Sequence, residues 1–227
     1  MQLYIGNKNY SSWSMRPWVL MRQAGIAFEE MLLHFDGFGE ASRFKREITR
    51  ISPAGRVPVL VDNGFVVWDS LAIAEYLAEK FPERGLWPAD PRRRARARSL
   101  SAEMHSGFAA LRSACPMNVE ASLPEAGAAA LAQPAVRADL ERIVRMWTEQ
   151  LDATGGPMLF GDFCIADAFY APVASRLRTY ALPVPEPVAG YVERLFDLPG
   201  VRDWVRDALA EKDFLAFEEP YRTGRTG

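Results

Sequence analysis

The chain has 227 residues, enough for one large domain or two modest ones, and at 49% hydrophobic and 25% charged it has the composition of a folded globular protein. A formal charge of −2 supplies no global field for gripping nucleic acid or an anionic membrane surface. Two cysteines, Cys115 and Cys164, make no disulfide framework, "MQLYIGNKNY" lacks an apolar leader and no stretch approaches a membrane span, so the expectation is a soluble cytoplasmic protein.

In chain order, "QLYIG" is a short apolar run ending in Gly6, which suits a buried strand. The polar gap "NYSSWSMRPW" follows, then "MRPWVLMRQAG", helical in pattern and ending at Gly25, the usual residue just past a helix end. "AFEEMLLHF" is read as a strand from its position, and "EASRFKREITRI" as a polar helix closed by Ser52-Pro53. In "VPVLVDNGFVVWDS" two β-rich runs flank Asn63-Gly64, a pair that readily takes the positive φ values of a type I′ turn and predicts a hairpin. "SLAIAEYLAEKF" then sets Leu71, Ala74, Leu77, Ala78 and Phe81 on one helical stripe. The order is βαβαββα over residues 1–81.

"PERGLWPADP" packs three prolines and a glycine into residues 82–91, where the domain boundary is expected. Beyond it no β-rich alternation occurs. "RSLSAEMHSGFAAL" spaces Leu100, Met104, Phe108 and Leu111 as one helix would. "VRADLERIVRMWTEQL", "IADAFYAPVASRL", "YVERLFDL" and "VRDWVRDALAEKDFL" complete five expected helices, so residues 92–227 read as an all-helical domain. The "YRTGRTG" tail is expected to fray.

The serines of the polar gap raise a question of register. A helix N-terminus leaves backbone N–H groups unpaired and carries roughly half a positive charge, and a Ser cap satisfies one donor for about 1 kcal/mol. Pro17 sits comfortably only in a first turn, which favours Ser14 as the cap and leaves Ser11 and Ser12 in the loop before the helix. A helix starting at Trp13 would instead cost one internal hydrogen bond at Pro17; both registers stay open. Either way, a hydroxyl beside a helix N-terminus is a place where an anion is stable.

Taken together, the mixed first half, "VPVL" leading into the hairpin and "WDS" opening the next helix resemble the glutathione transferase superfamily, and "SSWSMR" is similar to the "SSxSxR" stretch of its zeta class and bacterial relatives. The resemblance spans nearly the whole chain. It implies a thioredoxin-like N-terminal domain joined to a helical domain that carries the electrophile pocket, with glutathione as co-substrate and homodimer assembly. By the match Ser11 serves the thiol of glutathione, with Ser12 as the second candidate and Tyr10 a weaker rival. An ordinary thiol has a pKa of about 8.5, so lowering it by ~2 units, worth roughly 2.7 kcal/mol, would ionise most of it at neutral pH. A donated serine hydroxyl plus the helix N-terminus would supply that, with the serine never becoming a covalent nucleophile.

The same resemblance implies a cis Val57-Pro58 bond that turns the Val57 backbone toward the cysteinyl part, Arg56 on the glycine carboxylate, Ser70 on the γ-glutamyl carboxylate and Asp69 on its ammonium. From the residues alone, Arg56 is a solvated turn residue, Pro58 edge-strand chemistry and "WDS" an N-cap. Trp13 and Met15 would wall the pocket, and His105, Phe108 and Arg112 lie on the stretch that lines the interdomain cleft in the superfamily. "GDFCIAD" resembles the family's structural capping box with Cys164 in the Ser/Thr place before Asp167, a poorer cap for which Asp162 could substitute. Both cysteines read as small buried hydrophobes, "RRRARAR" as a solvated helix start, and His34 and His105 lack metal-ligand spacing, so no metal is expected.

The function expected is a transferase that activates glutathione for attack on a small hydrophobic electrophile. Zeta kinship also admits a glutathione-dependent cis–trans isomerase of the maleylacetoacetate type. A catalytically idle glutathione-binding scaffold is the reading from another class, against which the intact "SSWS", "VPVL" and "DS" set argues.

Overall fold

A computed structural model describes residues 1–225. Strands β1 (Gln2–Ile5), β2 (Glu29–Leu32), β3 (Val59–Asp62) and β4 (Phe65–Trp68) form one sheet in the order β2-β1-β3-β4. β1 pairs parallel with β2 in the register Gln2↔Glu29 and antiparallel with β3 in the register Leu3↔Leu60. A parallel pair needs a crossover, and α1 (Ser12–Gln23) provides it. The hairpin turns on Asn63 (φ 49°) and Gly64 (φ 85°), the two positive values that Asn-Gly predicts. α2 (Arg43–Ile51) and α3 (Ser70–Lys80) complete the βαβαββα order read from the sequence.

Among the described residues seven α-helices follow residue 90: α4 (Pro91–Ser106), α5 (Ala109–Ala114), α6 (Pro124–Leu131), α7 (Pro134–Thr154), α8 (Ile165–Thr179), α9 (Glu186–Asp197) and α10 (Pro199–Glu211). α8 is apolar on nearly every face because it is enclosed on all sides, by α1 and α4 among others. Asp167 caps it by accepting the Cys164 N–H at 2.9 Å, the Leu159 N–H at 3.2 Å and the Tyr191 hydroxyl at 2.9 Å. Exposed Asp162 takes no part in this cap. α1 packs on α8 and α10, burying Met15, Val19, Leu20 and Met21 completely, so the two halves share one core.

Three expectations are corrected here. The stripe Leu100, Met104, Phe108, Leu111 is buried as expected but is not one helix: Leu100 and Met104 lie in α4, Leu111 in α5, and Phe108 in the junction between them. Phe108 adopts φ 58°, and a Cβ on the preceding Gly107 would stand 2.7 Å from the Glu103 carbonyl oxygen, so the chain bends there. α5 restarts with its Leu111 N–H bonded to Asp139 of α7 at 3.0 Å, and the alanine-rich α6 is a helix the periodicity missed. The tail is tied down as far as Arg225. Arg222 pairs with Glu219 at 2.7 Å, Arg225 with Glu120 at 2.9 Å, and the Tyr221 hydroxyl with the Ala114 carbonyl. The last two residues of the expected fray, 226–227, lie outside the described residues. No helix among the described residues is long and apolar enough to cross a membrane.

Candidate active site

The loop between β1 and α1 is held from both sides. Asn7 accepts the Phe35 N–H at 2.7 Å and donates to Asp213 at 2.7 Å, while the Lys8 N–H is held by Glu211 of α10 at 2.8 Å. This fixes Ser11 at the start of α1 as its N-cap residue, in place of the favoured Ser14; the helix begins at Ser12. Pro17 therefore stands inside the helix and forfeits its bond to the Trp13 carbonyl. The loss is offset because this register buries Met15, Trp18, Val19 and Leu20 in the shared core, each worth about 1.5–3 kcal/mol.

The Ser11 side chain caps no backbone N–H, and the first turn carries no acidic residue, so the positive end of α1 is uncompensated. Ser11 Oγ lies 2.7 Å from Ser14 Oγ, which also accepts the Gly6 N–H at 3.2 Å. A serine hydroxyl both donates and accepts. The bond as placed has Ser11 donating to Ser14; with both hydroxyls turned, Ser14 donates to Ser11 and the Ser11 proton is free for an anion in front of the helix.

In front of it lies a cavity of about 680 Å³. Ser11, Ser12, Trp13, Arg56, Val57 and Arg112, all singled out in the sequence, line it. Arg56 is exposed, and the Val57–Pro58 peptide bond is cis. Met15 is not in the wall: it is wholly buried in the core. Phe108 likewise anchors the α4–α5 bend in the core and does not face the cavity.

Asp69 and Ser70 stand together at the start of α3. Asp69 caps the helix by accepting the Leu71 N–H at 2.8 Å, and it does so at φ 77°, a strained value for a residue with a side chain. Ser70 Oγ is buried with no hydrogen-bond partner. His105 reaches across from α4, its Nε2 3.2 Å from the Asp69 carboxylate and its ring 5.1 Å from that of Trp13. Burial pushes the His105 pKa down, against the pull of Asp69. His105 thus borders the site without lining the cavity.

Tyr10 lines the cavity but its hydroxyl is engaged by the tail, donating to Glu219 at 2.8 Å; burial and that bond push its pKa up to about 12. Sequence reasoning missed this tail wall, in which Glu218 faces the cavity and Phe217 packs edge-on against Phe38 at 5.4 Å. It also missed Lys45 and Arg176 in the lining, and Arg16 below it. Arg16 belongs to the quoted "SSWSMR", and Arg176 is a cation inside the otherwise apolar "IADAFYAPVASRL". A charged residue on an enclosed helix was the available signal.

A mixed four-stranded sheet with a hydroxyl and an uncapped helix end after its inner strand β1, closed by a helical bundle, defines a thioredoxin-like domain joined to an all-helical one. Residues 10–80 match the family "Glutathione S-transferase, N-terminal domain" and residues 90–210 "Glutathione S-transferase, C-terminal domain", so the chain belongs to the glutathione S-transferase family. It is 52% identical over 58 residues to glutathione S-transferase D7 of Drosophila melanogaster, a match covering 25% of this chain and 26% of that one. Maleylacetoacetate isomerase of Rattus norvegicus is 26% identical over 194 residues, covering 85% of both chains. The chain spans less than half the length of the Drosophila protein and of two further curated relatives. Among solved structures, a glutathione transferase homologue from Burkholderia gl BGR1 with bound glutathione superposes at a TM-score of 0.67 with 29% identity, covering 92% of this chain and 97% of that one.

Proposed function

We infer that this chain is a cytoplasmic, homodimeric glutathione transferase in which residues 1–81 bind glutathione and residues 92–227 shape the electrophile pocket, joined by the linker 82–91. The residues present suit the tripeptide. Ser70, buried with an unpartnered hydroxyl, and Asp69 would take the γ-glutamyl carboxylate and ammonium. The Val57 backbone would meet the cysteinyl part, and Arg56 with Lys45 the glycine carboxylate. Glutathione supplies the thiol nucleophile. Ser11 donates its proton to the sulfur, Ser14 turns its own toward Ser11, and the Gly6 N–H supports Ser14, so each donor strengthens the next. Ser12 is left as an exposed-side neighbour with no such chain behind it.

The observation that carries this reading is the pairing of an uncapped α1 N-terminus with the Ser11 hydroxyl on the rim of a 680 Å³ cavity. Titration calorimetry with glutathione, paired with a turnover assay, tests it: saturable binding with turnover supports the enzyme, binding without turnover leaves the glutathione-binding scaffold, and no binding at millimolar concentration removes both. The isomerase reading has its own support, the likeness to the rat isomerase along 85% of the chain. In that case the activated sulfur adds to a double bond, rotation follows and sulfur leaves again, so turnover would consume no glutathione.

A further inference from the structure

Among the described residues Glu218 is the one carboxylic acid that lines the cavity, and thiol activation at Ser11 makes no use of it. It ends a short 3₁₀ turn, Ala216–Glu218, and its N–H bonds to the Leu215 carbonyl at 2.8 Å. The turn is clamped on both sides. Phe217 packs edge-on against Phe38, while Glu219 accepts the Tyr10 hydroxyl at 2.8 Å and the Arg222 guanidinium on both oxygens, at 2.7 and 2.8 Å. Tyr10 directly precedes Ser11, so a fixed turn tied to Tyr10 presents Glu218 to the same cavity as the proposed thiol site.

The two adjacent glutamates sit in opposite surroundings. Burial pushes the Glu218 carboxyl up, and the negative charge of Glu219 adds to the rise. Glu219 is buried too, but Arg222 and the Tyr10 hydroxyl hold it below the ordinary carboxylate range. Nothing comparable reaches Glu218, whose carboxyl makes no hydrogen bond or ion pair among the described residues. The cavity's cations are engaged elsewhere. Lys45 pairs with Glu40 at 3.7 Å, Arg112 bonds to the Gly107 carbonyl at 3.3 Å, and Arg176 to the Cys115 and Pro172 carbonyls at 2.8 and 3.0 Å; Arg56 is exposed. Neighbouring carboxyls whose environments separate their proton affinities serve one as an acid and the other as an anion. Here Glu219 is the anion that anchors the turn, and Glu218 is the acid turned toward the cavity.

Resting on the transferase reading, we propose that Glu218 is a catalytic proton donor, its carboxyl protonating the enolate formed when the glutathione sulfur adds to an α,β-unsaturated carbonyl substrate. The C–S bond forms at the β-carbon, the π electrons move onto the carbonyl as an enolate, and the enolate takes the Glu218 proton. The carboxylate left behind regains a proton from water, which has received the one lost by the thiol. The same step separates addition from isomerisation: an enolate that takes the proton keeps its sulfur, and one that does not expels it after rotation. Displacement at an aryl chloride needs no such donor, because the C–S bond forms, the C–Cl bond breaks and chloride leaves with the electron pair.

The test compares turnover of trans-4-phenyl-3-buten-2-one with that of 1-chloro-2,4-dinitrobenzene by the full chain at saturating glutathione, each scaled to its uncatalysed rate. Both reactions need the thiolate, so the enone-to-aryl-chloride ratio cancels sulfur ionisation and reports the donor alone. In wild type the ratio should fall as pH rises and Glu218 ionises. Glu218→Gln should lower it on the order of a hundredfold at neutral pH, the lower end of what a positioned proton donor supplies, and make it flat with pH. Glu218→Asp, an acid one methylene shorter, should restore part of it. The carboxyl bonds to nothing in the protein, so both variants should keep the wild-type Tm. A ratio that Glu218→Gln leaves in place, one that drops yet keeps the wild-type pH dependence, or aryl chloride turnover without enone turnover overturns the donor. No turnover of either substrate with glutathione bound removes the transferase reading, and the donor with it.

Discussion

Replacing Ser11 by alanine tests the electrostatic centre of the proposed function. The side chain caps no backbone group, so its only loss within the protein is the 2.7 Å bond to Ser14, about 1 kcal/mol, and the variant should fold. A hydroxyl bonded to a charged partner is worth about 1.5–3 kcal/mol, which corresponds to a rise of ~1–2 units in the pKa of the bound thiol. Starting from ~6.5, a rise of ~1.5 units takes the thiolate fraction at pH 7 from about three-quarters to about a tenth. Turnover at pH 7 should therefore fall about eightfold, and the gap should close by pH 9, where both forms are ionised. The assay is the thiolate absorbance of the saturated complex against pH, paired with the pH dependence of kcat/KM. A bound-thiol pKa that stays the same in the alanine variant refutes the reasoning, and so does a rate loss that persists undiminished in alkali. Either result would shift the burden to the helix N-terminus or to Ser12.

Ser70→Ala should weaken glutathione binding about tenfold by calorimetry with little change in Tm, because the Ser70 hydroxyl has no partner within the protein to lose. Asp167→Ala leaves the Cys164 and Leu159 N–H groups and the Tyr191 hydroxyl unsatisfied in the core, and should cost at least about 3 kcal/mol in urea denaturation. His105 is held below its ordinary pKa by burial, so the unfolded chain takes up its proton first as pH falls. Wild type should therefore lose stability relative to His105→Gln on going from neutral pH to below the ordinary histidine pKa of about 6.5, and a difference that grows in the opposite direction would contradict the burial argument.

Features encoded within a few residues were legible in the sequence. Asn63-Gly64 specifies its turn by backbone sterics, and the "WDS" cap and the Gly25 helix end are likewise local chemistry. The α1 start stayed open in the sequence, with Ser14 favoured as cap, because the proline rule weighs one hydrogen bond, while four apolar side chains of α1 pack into a core shared with α8 and α10, more than a hundred residues away. The Gly107–Phe108 bend hides in an unbroken helical stripe, since both helices bury the same side. For the candidate site, Ser11, Trp13, Arg56, Val57 and Arg112 were legible from motifs, and the cavity brings them together. The unpaired state of Arg16 and Arg176 was not, because a sequence displays cations and never which of them lack an acid nearby.

Because Glu218 faces the cavity and Glu219 holds the hydroxyl of Tyr10, another lining residue, the segment around residues 218–219 closes one side of the cavity from more than two hundred residues away in the chain. A protease cut after Lys212 would separate that segment, together with Asp213 that holds Asn7, from the rest of the chain and so loosen the cavity from the outside.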